Sequence, residues 1–138
     1  MPSIISLLTP QQVSLLSTTA IVDLETTDIA ALTTAQAAAL TATQVNAMET
    51  TDLQFMAQTQ VASLSTNVIK ALLTLQMQAL TDTQVTQLTA TQVGAMAATG
   101  LGALSSTELQ SFSTTQANAI TSTQLKALTT TAWTVNAE

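Results

Sequence analysis

Leu80-Thr81-Asp82-Thr83-Gln84-Val85-Thr86-Gln87 is followed at once by Leu88-Thr89-Ala90-Thr91-Gln92-Val93-Gly94-Ala95. The two octapeptides share a large apolar residue at position 1, Thr at positions 2 and 4, Gln at position 5 and Val at position 6. The register extends outward in both directions, giving sixteen blocks from Leu8 to Val135 without insertion or deletion. Position 1 is always a large apolar residue, including Leu32, Leu40, Leu64, Leu104 and Leu128, with Met48, Met56 and Met96 as variants. Position 6 is nearly as strict, with Val45, Val85 and Val93 typical, and position 8 is mostly Ala. Position 2 is Ser or Thr in eleven blocks. Position 5 is mostly Gln, and Glu108 reads there as a near-equivalent.

The period decides the local structure. An octad in a continuous α-helix advances about 800°, roughly 80° beyond two turns, so position 1 would spiral around the helix instead of forming a stripe. In a regular strand, positions 1 and 6 have opposite parity and face opposite sides. A β-solenoid is the alternative fold, favoured by Thr and Val. It would need turn residues at its corners, and the chain has only 3 Gly and 2 Pro.

A short helix restarted in every octad fits better. Thr at position 2 with Gln three residues later is a capping box, in which each side chain satisfies an orphan N–H of the helix start. Positions 1 and 6 then form the hydrophobic staple across the cap. Thr33, Thr41, Thr81, Thr89 and Thr121 are the expected caps, and Pro10 falls at a first helical position, where proline is favoured. Helices of five or six residues are too short to be stable alone, so they must stack. The expected fold is all-α, a solenoid of sixteen short capped helices with Leu32, Leu40, Val45, Leu64, Leu80, Val85, Leu88, Val93, Leu104 and Leu128 in its core. Residues 1–7 form an N-terminal cap segment, 8–135 the repeat array and 136–138 a tail. Glu25-Thr26-Thr27-Asp28 recurs 24 residues later as Glu49-Thr50-Thr51-Asp52, an echo that points to three octads per superhelical turn.

Runs such as Ala31-Leu32-Thr33-Thr34-Ala35-Gln36 and Ala79-Leu80-Thr81-Asp82-Thr83-Gln84 resemble the Thr/Gln-rich short repeats of large bacterial secreted or surface proteins. The resemblance covers the chain and implies an extracellular, adhesin-like setting. It brings no catalytic or ligand-binding residue with it.

Composition narrows function. Charged residues are 7% of the 138, against about 25% in an ordinary chain. With a net charge of −6 and only Lys70 and Lys126 positive, the chain cannot neutralise phosphates, so no nucleic-acid partner is expected. No apolar run approaches the roughly 18 residues of a membrane span, and the first residues lack the basic start of a secretory signal. No His, Cys or Tyr is present, and the hydroxyls have no partner base, so neither enzyme activity nor a cofactor is expected.

Three features carry sharper readings. Glu25, Asp28, Glu49 and Asp52 would stack if three octads make a turn, and could ligate Ca²⁺ through oxygen. The plainer reading is that they replace Thr and Gln at helix starts, where the helix dipole favours anions. Regular Thr rows resemble those of ice-binding proteins, although position 2 is already engaged in capping. Trp133, at position 6 of the last block, reads as a lid on the final turn before it reads as an anchor for a partner. With apolar termini and little Lys to oppose contact, weak end-to-end self-association is expected.

Overall fold

The computed structural model describes residues 3–128. The last octad from residue 129 onward, and with it Trp133 and Val135, lies outside the described residues. Among the described residues the chain is all-helical, a 3-10 helix followed by fifteen α-helices of five or six residues each. The 3-10 helix is η1 (Ile4–Leu7), and the first five α-helices are α1 (Pro10–Ser14), α2 (Thr18–Val22), α3 (Thr26–Ala31), α4 (Thr34–Ala39) and α5 (Ala42–Ala47). Next come α6 (Thr50–Phe55), α7 (Gln58–Ser63), α8 (Thr66–Ala71), α9 (Thr74–Ala79) and α10 (Asp82–Thr86). The series ends with α11 (Ala90–Ala95), α12 (Ala98–Gly102), α13 (Ser106–Gln110), α14 (Thr114–Asn118) and α15 (Ser122–Ala127).

The helices that pack extensively on one another are three apart in the chain: α1 on α4, α4 on α7, α2 on α5, α3 on α6, and so on to α12 on α15. One turn of the solenoid is therefore three octads. The helices form three columns, the first α1–α4–α7–α10–α13, the second α2–α5–α8–α11–α14, and the third α3–α6–α9–α12–α15 with η1 beneath α3. At ordinary interaxial distances each turn rises about 8–10 Å. The layers approach closely at Gly94 in α11, where an added Cβ would lie 3.1 Å from the Ala119 carbonyl oxygen one layer away.

The corners explain why so few glycines suffice. Leu40 at position 1 (φ −60°, ψ 138°) and Thr41 at position 2 (φ −90°, ψ 161°) are both extended, and the same pair recurs at other corners. Two extended residues between helices turn the chain with ordinary φ, and no described residue has positive φ. Position 1 then points inward beside position 6, so both partners of the staple are buried through the central octads, as with Leu88 and Val93, while toward the C-terminal end Phe112 and Ile120 are half-buried and Leu125 is exposed. Leu32, Leu40, Val45, Leu64, Leu80, Val85, Leu104 and Leu128 lie in the same continuous core. Ile5 of η1 is buried too, so residues 4–7 take the place of the back half of a further repeat.

The caps are as specific as the core. The hydroxyls of Thr33, Thr41, Thr81, Thr89 and Thr121 accept from the N3 backbone N–H at 3.1–3.2 Å, while the N3 Gln reaches back to the cap N–H at 2.7–2.9 Å. Thr83 and Thr91, at position 4, are exposed and cap nothing. Thr81→Ala and Thr89→Ala are expected to cost about 1 kcal/mol each in denaturant unfolding, and Thr83→Ala and Thr91→Ala less. Equal costs at the two positions would show that the hydroxyl at position 2 is not the cap.

Candidate functional site

The most organised chemistry in the molecule is a set of buried glutamines along the corners. Gln36, Gln44, Gln60, Gln76, Gln84, Gln92, Gln116 and Gln124 are all buried. In each, Oε1 accepts from the N-cap N–H of its own helix, and Nε2 donates downward to carbonyls of the preceding turn. Gln44 reaches Val13 O at 2.8 Å and Leu16 O at 2.9 Å. Gln92 reaches Val61 O and Leu64 O, both at 2.9 Å, and Gln124 reaches Val93 O and Met96 O, both at 2.8 Å. The acceptors are the carbonyls at position 6 and at the following position 1, 31 and 28 residues back, except that Gln116 donates to Thr86 O and Leu88 O, 30 and 28 residues back.

One amide therefore serves two helix ends. A helix leaves N–H groups unsatisfied at its start and carbonyls unsatisfied at its end. The glutamine accepts at the start of its own helix and donates to the end of a helix one layer below. A carboxylate is acceptor-only and manages the first half alone. Glu108, the near-equivalent of glutamine, completes its capping box but fills only that half of the role. Its Oε2 accepts from Ser105 N at 2.7 Å, but it has no donor for the layer beneath.

The acidic residues singled out from the sequence lie on adjacent layers, Glu25 and Asp28 at the start of α3 and Glu49 and Asp52 at the start of α6, which stacks on it. Glu25 and Glu49 are exposed N-cap residues, and neither side chain caps its helix. Asp28 accepts from Glu25 N at 3.0 Å and from the Ser3 hydroxyl. Asp52 is 5% exposed and stands where a glutamine stands in other octads. Among the described residues no group of three or more His, Cys, Asp or Glu side chains is arranged to hold a metal ion. A hollow of about 420 Å³ in the first turn is lined mainly by Ile4, Leu8, Leu16 and Leu24, with Ala20 occupying a position-5 site that glutamine fills elsewhere.

Burial pushes the Asp52 carboxyl above its ordinary pKa; the Glu49 backbone N–H opposes this and the Glu49 carboxylate adds to it. A carboxyl whose folded pKa is raised holds more protons folded than unfolded across the interval between the two values. Stability from this group therefore falls as pH rises through that interval, and the penalty is complete above the raised value. The difference in unfolding free energy between Asp52→Asn and the parent should thus move in the variant's favour on going from mildly acidic to neutral pH. A difference that is flat, or that moves the other way, would contradict this assignment.

For the Thr rows, the hydroxyls at position 2 are taken up by capping, and those at position 4 stand on the surface. No described helix is long and apolar enough to cross a membrane. Comparison with curated proteins and with solved structures returned no match to the chain. Over residues 21–56 the chain matches a family model described as the ALTTAQ repeat, whose hexapeptide stands letter for letter at Ala31–Gln36 in this sequence.

Proposed function

We propose that the chain is a non-catalytic repeat module, a spacer or binding surface in a bacterial secreted or cell-surface protein. The observation that carries this reading is the glutamine ladder. It makes each turn a template for the next, so the array can be extended by whole turns without a new design. The scarcity of titratable side chains and the Thr-rich surface support the same reading. Inserting a second copy of residues 57–80, one complete turn, should lengthen the particle by about 8–10 Å in small-angle scattering and preserve cooperative unfolding. An insert that bulges out, or that unfolds separately, would overturn the templating on which the reading rests. Accessibility of the protein to antibody on intact cells tests its placement, and detection only after lysis would contradict it.

The proposal includes weak contact between copies. The first turn exposes Ile4, Leu7 and Leu15, which supports concentration-dependent association through that end. Sedimentation over a wide concentration range should show it, and Leu7→Ser with Leu15→Ser should abolish it. A monomer at every concentration would refute it.

A further inference from the structure

Five described α-helices lack a side-chain hydroxyl cap, and four of them, α3, α6, α9 and α12, are consecutive layers of the third column. In the second column every helix keeps its cap, from Ser17 through Thr41, Ser65 and Thr89 to Ser113. The first column lacks only the cap of α7. A missing cap is a cost to the fold, and a run of missing caps along one edge marks a surface shaped by something besides stability.

The residues standing in for Ser and Thr on that edge are Glu25, Glu49, Leu73 and Ala97, one per layer. The helix dipole accounts for the two glutamates but not for leucine or alanine. Leu73 is 52% exposed, and Leu75, two residues on in the same helix, is 71% exposed. At both positions the repeat elsewhere carries mainly hydroxyl residues. The edge therefore runs from carboxylates in its first two layers to apolar side chains in the next two. Five of the 8 acidic residues, at 23, 25, 28, 49 and 52, lie at or beside its acidic end.

We propose that this edge docks a polypeptide segment carrying Lys or Arg at one end and apolar side chains at the other. Complementary charge orients the segment, and Leu73 with Leu75 supplies the apolar anchor. Four layers span about 24–30 Å, which an extended segment of roughly eight or nine residues covers. The proposal rests on the reading of the chain as an interaction module and names its partner's chemistry. Its failure leaves the templated array intact, because the turn-insertion experiment tests that separately.

The test uses the full chain and a labelled peptide with lysines in one half and leucines in the other, titrated by fluorescence anisotropy. Saturable binding is expected, weakened about tenfold or more by Leu73→Thr with Leu75→Thr. The Leu73→Thr change supplies the missing cap, so this variant should melt higher than the parent, and its loss of binding cannot come from unfolding. Glu25→Gln with Glu49→Gln should weaken binding and flatten its salt dependence, while Asp82→Asn on the first column should leave it unchanged. Absence of saturable binding, or affinity indifferent to the two leucines, overturns the proposal. Equal binding of a lysine-only peptide or of anionic lipid vesicles also counts against it.

Discussion

Gln84→Ala is expected to cost about 3 kcal/mol in equilibrium unfolding, far more than a glutamine-to-alanine change on a protein surface. Gln84 is 3% exposed. Its Oε1 accepts from Thr81 N at 2.8 Å, and its Nε2 donates to Leu53 O and Met56 O, each at 2.7 Å. Leu53 O keeps the N–H of Met56 at 3.2 Å as a second partner. Met56 O and the Thr81 N–H lose the glutamine, and unpaired buried groups carry the larger penalty. Gln84→Glu separates the two halves of the role. It preserves the acceptor but sets a carboxylate against two carbonyl oxygens, so its cost should be similar at neutral pH and should shrink in acid, where a protonated carboxyl donates. Conversely, Glu108→Gln should stabilise by about 1 kcal/mol or more by supplying the missing donor. Surface-sized costs at Gln84 would show that the ladder contributes little.

The second large effect is in the core. Leu80 is 4% exposed and Leu88 is 3% exposed, each at position 1 of its octad. Each lies where a helix ends and the next begins, buried against the layers above and below. Leu80→Ala or Leu88→Ala should destabilise by about 2–5 kcal/mol, because the stacked turns can close only partly over the lost volume. Chemical denaturation with an unchanged slope checks it. Costs under about 0.5 kcal/mol would mean that position 1 is not part of the core.

The two effects differ in how far the sequence discloses them. Position 1 could be read directly, because an unbroken octad with apolar residues at 1 and 6 and a capping box between them describes one short helix and its buried face. Three octads per turn showed in the sequence only through echoes, that of Glu25–Asp28 with Glu49–Asp52 at 24 residues and that of Leu40–Val45 with Leu88–Val93 at 48; the contacts of α3 with α6 and of the other columns establish it. The downward bonds of glutamine were not legible, since partners 31 and 28 residues away become neighbours only once the turn length is known. One signal did exist. A capping box accepts Glu as readily as Gln, yet position 5 is Gln in nine octads and Glu only at Glu108, which is the choice a required donor would make. The uncapped edge was hidden for the same reason, because Glu25, Glu49, Leu73 and Ala97 are scattered in the sequence and adjacent only in the coil.

The stacking of helices three apart can be tested by one covalent measurement. A Cβ built on Gly94 lies 3.9 Å from the Ala119 Cβ, within the range of about 3.5–4.5 Å that a disulfide spans. The chain has no Cys of its own, so Gly94→Cys with Ala119→Cys introduces a single pair. Mild oxidation at low protein concentration should close an intramolecular bond in the native protein. Shifting the partner by one octad, to Ser111→Cys or Ala127→Cys, should leave the thiols free. Closure of the Gly94 and Ala119 pair alone is the predicted result. Failure of that pair while either shifted pair closes would contradict a three-helix turn.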